Sequence, residues 1–252
     1  MSQLRKCIVC GGTDHKDWIK KSNHQIVKCI TCGFAFIHPM PKNIEISELY
    51  SYDYFEKGKY KDYGYDGYLQ KKERHIANAR NRLGYLLHHR QKGRLLDVGT
   101  GLGFFVRIAS EHFKAEGLEI SEYGAKYANE ELRVMVQRGS LDTVDYPKES
   151  FDLVTGYGIL EHVPDPVLFI RMIYKILKPK GLTVLCTPNI SCWNRYLQGK
   201  KWCGFRAPEH LYYFKPEHLK HLLREAGFLI KKARLVEENK LSDVMNIYGE
   251  RV

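Results

Sequence analysis

The chain has 252 residues, enough for one large domain and a small appendage but not for several full domains. Hydrophobic residues make up 44% of it, which supports a packed core and excludes wholesale disorder. The net charge of +11 suits an acidic or phosphorylated partner, and no secretory leader or membrane-spanning apolar run is visible, so the expectation is a reducing, cytoplasmic setting without stable membrane insertion.

Residues 1–40 are organised by cysteine. Cys7-x-x-Cys10 and Cys29-x-x-Cys32 stand eighteen residues apart, the spacing of four thiolates on one zinc ion. Gly11, Gly12 and Gly33 follow the pairs and permit tight knuckles whose amides turn back on the sulfurs. Disulfides or a redox Cys-x-x-Cys are the rivals, and a reducing compartment disfavours structural disulfides. The expectation is a small zinc ribbon with structural Zn2+ on Cys7, Cys10, Cys29 and Cys32, since four thiolates leave no open position for chemistry. His15 and His24, between the pairs, read as exposed loop residues. Cys186, Cys192 and Cys203 have no paired spacing, and Cys186 reads as a small buried hydrophobe.

Residues 41–67 form a tyrosine-rich linker or lid. Tyr50, Tyr52, Tyr54, Tyr60, Tyr63, Tyr65 and Tyr68 crowd it, mixed with Asp, Lys and Gly. A lid over a ligand and a surface loop with singly packed rings both fit this pattern. A third unit, 68–252, begins with a helical stretch over 68–89, where Ile76, Leu83, Leu86 and Leu87 share a face. Seventeen basic and nine acidic residues precede Gly93, so about +8 of the charge lies in the ribbon, linker and first helix.

The most informative segment is Leu95-Leu96-Asp97-Val98-Gly99-Thr100-Gly101-Leu102-Gly103. An apolar strand enters a Gly-x-Gly-x-Gly turn and a helix follows. About 20 residues on, a second apolar stretch ends at Glu119, placed to accept hydrogen bonds from ribose hydroxyls. The third glycine comes one residue early for a dinucleotide fingerprint, with Phe104 in its place, and no Gly-Lys-Ser/Thr follows to make a P-loop. Strands are predicted at 94–98, 114–119, 134–138, 151–156, 182–187 and 229–235, with helices between most of them. That alternation predicts a parallel sheet with right-handed crossovers. A last strand near 243–248 is weak, so an abbreviated C-terminal edge is expected. A helix at 216–226 has proline early and Gly227 just past its end.

The glycine turn resembles motif I of class I S-adenosylmethionine-dependent methyltransferases, of the branch with an N-terminal zinc ribbon. Further stretches resemble the family in order: Glu149–Val154, Leu160-Glu161-His162-Val163-Pro164-Asp165-Pro166, Leu177–Val184, and His210–Phe214 leading to Glu225-Ala226-Gly227-Phe228. Pro179-Lys180-Gly181 departs from the family's usual Pro-Gly-Gly, and Gly139-Ser140 from its Gly-Asp. The resemblance implies an α/β Rossmann-like methyltransferase fold, a mostly parallel seven-stranded sheet with helices on both faces. It implies S-adenosylmethionine as cofactor, held by Asp97, Gly99, Thr100, Gly101, Gly103, Glu119, Ile120, Ser140, Leu141 and Tyr157.

Methyl transfer needs an aligned acceptor and, where the acceptor is protonated, a base. His162 and His210 are the candidates, both in loops near the strand ends. His218 and His88-His89 read as surface residues. Gly158 stands where some relatives carry an acid of a divalent-metal set, so no catalytic metal is expected. The segment 193–205, rich in aromatics and bases, reads as an acceptor-binding flap. The expected acceptor is a small molecule, anionic or sugar-linked. RNA, gripped by the ribbon and the basic helix, is the main rival, although Gly156-Tyr157-Gly158 lacks the Asn/Asp-Pro-Pro-Tyr/Phe motif of base N-methylation. A non-catalytic cofactor-binding protein is a third reading.

Overall fold

The structure is a computed structural model and describes residues 6–41, 50–56, 67–231 and 243–252. Two sheets share one core. The larger has seven strands: β4 (Arg94–Val98), β5 (Lys114–Glu119), β6 (Val136–Arg138), β7 (Phe151–Tyr157), β8 (Leu177–Pro188), β10 (Phe228–Lys231) and β11 (Val244–Arg251). Their order is β10-β11-β8-β7-β4-β5-β6, parallel from β8 to β6 and antiparallel at β11 and β10. Strand β4 is buried from Leu95 to Val98 and β8 from Gly181 to Thr187, the continuous apolar burial of strands covered on both faces.

Helices flank this sheet: α2 (Lys72–Leu87), α3 (Phe104–Ala109), α4 (Glu122–Glu130), α5 (Pro166–Ile176) and α7 (Pro216–Glu225). Local chemistry sets their ends. Ser121 caps α4 by accepting from Gly124 N, and Asp165 caps α5 by accepting from Leu168 N with Pro166 in the first turn. Gly227, at φ +98°, closes α7. Two short helices, α1 (Tyr52–Glu56) and α6 (Trp193–Gln198), lie at the carboxyl-end rim or lead from it. Among the described residues no helix is long and apolar enough to cross a membrane.

The smaller sheet has the order β1-β2-β3-β9, with β1 (His15–Lys21), β2 (His24–Cys29), β3 (Ala35–Ile37) and β9 (Tyr212–Tyr213). Ser22 and Asn23, both at positive φ, make the tight turn of the β1–β2 hairpin. Strand β9 comes from the large domain, pairing Tyr213 with Ala35 and Tyr212 with Phe36. The apolar core runs without a break from Ile26, Phe34 and Phe36 to Leu96, Val154 and Leu185.

Several sequence expectations change here. The last strand is not abbreviated: β11 runs eight residues between β8 and β10. Strand β8 begins at Leu177, five residues early, because a register shift opposite Phe151–Leu153 accommodates the Lys178–Gly181 turn. Lys180 lies at φ +61° in that turn, the left-handed region that glycine occupies without strain, which gives the family's first glycine its physical reason. His15 and His24 are not loop residues but half-buried members of β1 and β2. His218 is not a surface residue: it is 4% exposed beneath the ribbon. The sequence read His218 as a surface residue because nothing local reveals that another sheet covers α7.

Phe34 is fully buried where the two sheets meet, its ring against Phe36, Tyr212, Phe214 and His218. Phe34→Ala is expected to destabilise the whole chain by about 3–5 kcal/mol, through lost burial and a residual cavity. Urea unfolding followed by tryptophan fluorescence checks this, since Trp18 reports the ribbon and Trp202 the large domain. A large-domain transition left in place would contradict a shared core.

Candidate functional site

The carboxyl ends of β4, β5 and β7 open into a cavity of about 990 Å³. Its floor is the turn after β4, where Gly99, Gly101 and Gly103 all take positive φ, at +71°, +59° and +83°. At Gly103 a side chain would also strike Ala128, 2.7 Å from the Cβ it would add. At Gly101 the added Cβ would face the cavity, 3.8 Å from the Tyr68 hydroxyl and 3.9 Å from Phe55. The backbone therefore lies bare toward a ligand, as close approach requires.

Two buried carboxyls brace the turn. Asp97, at the end of β4, accepts from Thr155 Oγ1 at 2.6 Å, and burial pushes its pKa up to about 6. Glu119, at the end of β5, accepts from Gly101 N at 2.7 Å and Ser121 N at 2.9 Å. Burial dominates there too, raising its pKa to about 7 against the pull of those amides. Each Glu119 oxygen accepts one of these amide bonds and retains a lone pair for a hydroxyl. Thr100, Ile120, Ser140, Leu141 and Tyr157 all line the same cavity. Ile120 is 43% exposed and Leu141 buried, and both give the cavity apolar surface. Ser140 N donates to Thr143 Oγ1 and Ser140 Oγ to Asp142 Oδ1, so this turn is ordered by its own side chains. Nine of the ten expected cofactor residues border the cavity; the tenth, Gly103, acts behind it, where α4 packs.

The opposite wall comes from the N-terminal side. Tyr50, Tyr54, Phe55 and Tyr68 line the cavity, and Tyr54 and Phe55 pack with Leu102 and Phe104 into a small apolar cluster. Tyr60, Tyr63 and Tyr65 lie outside the described residues. Along α2 and the turn before it, Lys71, Arg74, His75, Asn78 and Arg82 face inward. Sequence reading found the apolar stripe of α2 but missed this second one, whose spacing of three, four, seven and eleven residues is its signal. The Arg82 guanidinium sits 4.2 Å from the Tyr157 ring centre. Neither Arg74 nor Arg82 enters an ion pair among the described residues. His75 stacks on Tyr68 at 3.8 Å, and burial with the charges of Arg74, Arg82 and Lys71 lowers its pKa.

The two candidate histidines are brought together but only one faces the cavity. His162 lines it. Its Nδ1 is 2.9 Å from Glu209 O, and since a carbonyl only accepts, Nδ1 carries a proton and in the neutral ring the lone pair falls to Nε2. His210 is 5% exposed behind it, 4.8 Å ring to ring, and donates from Nδ1 to Gly204 O. Burial, then the neighbouring His162 and Arg206, holds its pKa well below the usual histidine range. Glu161 is buried with Oε1 3.8 Å from His162 Nε2, and burial raises its pKa. Potential ligand atoms of Glu161, His162 and His210 lie within 4.8 Å of one another, and Gly158, at φ +72° beside Glu161, supplies no fourth. The 193–205 flap does not line this cavity. Trp193 and Tyr196 border a separate one, and Trp202 and Phe205 are buried.

The four ribbon cysteines converge. Cys7 Sγ lies 3.6 Å from Cys32 Sγ and Cys10 Sγ 3.5 Å from Cys29 Sγ, all four within 4.8 Å. A tetrahedral zinc with bonds of about 2.3 Å needs sulfur separations of about 3.8 Å, whereas a disulfide needs about 2.05 Å. Backbone amides of Val9 and Cys10 bond to the Cys7 sulfur, and those of Thr31 and Cys32 to Cys29, as knuckles require. Burial raises the Cys7 and Cys32 pKa values, while Cys29 is drawn down to about 7 by those bonds. The donor set fits zinc. Helix α7 braces both knuckles: His218 Nε2 bonds Cys32 O at 3.2 Å and His221 Nε2 bonds Val9 O at 3.0 Å.

Known proteins carry the same frame. A family model described as a methyltransferase domain matches residues 68–232. A ubiquinone biosynthesis O-methyltransferase of Nitrosospira multiformis is 26% identical over 66% of this chain and 76% of its own length. Other curated methyltransferases are spanned over 41–66% of their length. In fold, the chain is similar to a SAM dependent methyltransferase from Archaeoglobus fulgidus, with TM-score 0.56, 20% identity and coverage of 71% of this chain and 94% of that one. It is likewise similar to magnesium protoporphyrin IX methyltransferase from Synechocystis PCC 6803 with bound SAH, with TM-score 0.57, 16% identity and coverage of 75% and 90%. The family model covers well over half of the chain and overlies the glycine turn, its two carboxyls and the cavity; the chain therefore belongs to the methyltransferase-domain family, in its class I, S-adenosylmethionine-dependent form.

Proposed function

We propose that this chain transfers the methyl group of S-adenosylmethionine to a small anionic acceptor, such as a phosphorylated or nucleotide-linked sugar, with His162 taking the acceptor's proton. The observation that carries this reading is one cavity bordered on one side by the glycine turn and Glu119 and on another by His162. S-adenosylmethionine, when bound, supplies a methyl group on a sulfonium, which needs alignment more than activation. Glu119 would accept from its ribose hydroxyls, Ile120 and Leu141 would enclose its base, and Asp97 with the bare glycine backbone would border the methionine portion. Lys71, Arg74 and Arg82 make the α2 wall cationic and favour an anionic acceptor. The cavity is at the upper end of the roughly 300–1,000 Å³ range of small-molecule sites.

His162 is prepared for proton transfer by its main-chain partner. With Nδ1–H held on Glu209 O, Nε2 has the lone pair, and Glu161 lies beside it to face the charge that develops on the ring. His210 is too deeply buried and too cationic in its surroundings to share that role, and it acts as packing behind His162. The cysteine cluster would hold a structural zinc, closed by four thiolates.

Three outcomes are expected. His162→Asn, whose amide can replace Nδ1–H but supplies no base, should lower kcat about 10²–10⁴-fold with S-adenosylmethionine affinity within about twofold, by single-turnover kinetics and calorimetry. Full turnover would remove His162 from the reaction. Purified protein should contain about one zinc per chain by metal emission analysis, and Cys29→Ser should lose it and lower Tm.

The third concerns pH. Glu119, raised to about 7, holds a proton in the folded apo chain that the unfolded chain has already released, so apo stability falls as pH rises from about 4.5 to 7. Ribose hydroxyls donating to the carboxylate favour its charged form, so cofactor binding releases the proton. Affinity should therefore strengthen from pH 5.5 to 8, by up to about tenfold per unit, with proton release visible in buffers of different ionisation enthalpy. Affinity flat across that range would exclude Glu119 from the ribose.

A further inference from the structure

Glu209 joins three parts of the molecule that are distant in sequence. It is 1% exposed. Its Oε1 accepts from the Tyr54 hydroxyl of α1 at 2.5 Å, and its Oε2 pairs with Arg206 at 3.0 Å. Its main-chain oxygen accepts from His162 Nδ1 at 2.9 Å. Two residues on, Leu211 N donates to Glu161 O at 2.8 Å, and Tyr212 enters β9. The side chain of Glu209 thus fastens the helix that covers the glycine turn, while its main chain fixes which nitrogen of the cavity histidine is protonated. Neither the glycine motif nor the histidine pair points to this residue.

We propose that Glu209 is a positioning residue that couples closure of α1 over the cofactor turn to the tautomer of His162, an inference that rests on His162 being the base. The physical link is short. Losing one hydrogen bond at a buried carboxyl group is costly even where its Arg206 pair is kept. Without the Tyr54 hydroxyl, the 204–211 loop relaxes to resolve that cost, and the carbonyl one bond from the Glu209 Cα leaves the line of Nδ1. The ring then loses the partner that keeps its proton on Nδ1, and Nε2 is no longer uniformly a base. With the clasp made, the basic nitrogen is available when Tyr54 and Phe55 cover the glycine turn. Proton removal is thereby tied to an enclosed cofactor, in a cavity from which water is displaced.

The test reads the tautomer directly by 15N NMR at His162 in the full zinc-loaded chain, alongside calorimetric titration with S-adenosylhomocysteine. The wild type should show the Nδ1–H form. Tyr54→Phe, which deletes one hydroxyl, and Glu209→Ala should both give mixed tautomers, with S-adenosylhomocysteine bound about tenfold more weakly. Glu209→Gln keeps an acceptor for Tyr54 and should recover much of the Nδ1–H form. An unchanged tautomer in the folded variants would overturn the coupling, even if ligand affinity drops. Should Glu209→Ala fail to fold, Tyr54→Phe decides alone, since it leaves the Arg206 pair intact. The tautomer is read without turnover, so full activity in His162→Asn would end the base assignment while these spectra still judge the clasp.

Discussion

The two-residue pairing of β9 with β3 is the constraint on which the arrangement of this molecule depends. It is small, Tyr212 and Tyr213 against Phe36 and Ala35, yet it makes the ribbon sheet a four-stranded one with a strand borrowed from the catalytic domain. Tyr212 hydroxyl also donates to Pro164 O, at the entry to α5. The same peptide segment continues backward to His210 and Glu209, the residues behind and beside His162. Register in this strand is therefore shared between two structures: a slip of one residue would turn Tyr212 and Tyr213 inside out and pull the Glu209 carbonyl away from the cavity. The four cysteines fold the knuckles, α7 grips them through His218 and His221, and β9 carries that order to the site.

Electrostatically the site is built on carboxyl groups that burial makes reluctant to ionise. Asp97 and Glu119 are both buried, and their neutral hydrogen-bond donors only partly offset that burial. Protein interiors tolerate such groups when a ligand completes their hydrogen bonding. The opposite wall is cationic, and among the described residues Arg74 and Arg82 enter no ion pair. One cavity thus has hydrogen-bond acceptors on its floor and positive charge on its roof, a distribution suited to two ligands of different character.

Much of this was legible because the signals are local. The glycine turn, Glu119 and the cysteine pairs are fixed by φ angles, strand ends and metal geometry, which depend on few neighbours. Strands β4, β5 and β7 could be placed to within a residue at either end, because β-rich apolar runs bounded by turns are self-contained. The errors arise where a distant element decides. Lys178–Gly181 looked like a lead-in and is a bulge within β8; β11 looked weak because its apolar residues alternate with Asn246 and Gly249, and only two flanking strands complete it. His218 looked exposed because its cover comes from residue 32. The basic stripe of α2 and the contacts of Glu209 were missed for the same reason: periodicity shows that a face exists, not what it faces.

The histidine pair illustrates how far environment divides identical side chains. His162 and His210 are 4.8 Å apart, and each gives its Nδ1 proton to a main-chain carbonyl. From sequence the two are equivalent, both in loops beyond strand ends. What separates them is the company each keeps. His210 is enclosed, with His162 and the Arg206 guanidinium beside it, and every one of those factors opposes a second proton. His162 has the cavity on one side and Glu161 on the other, so a proton arriving at Nε2 meets a carboxyl group rather than a cation. Two like groups held in contact resist charging together, and burial separates them: in the proposed reaction His162 faces the acceptor and His210 forms the wall behind it.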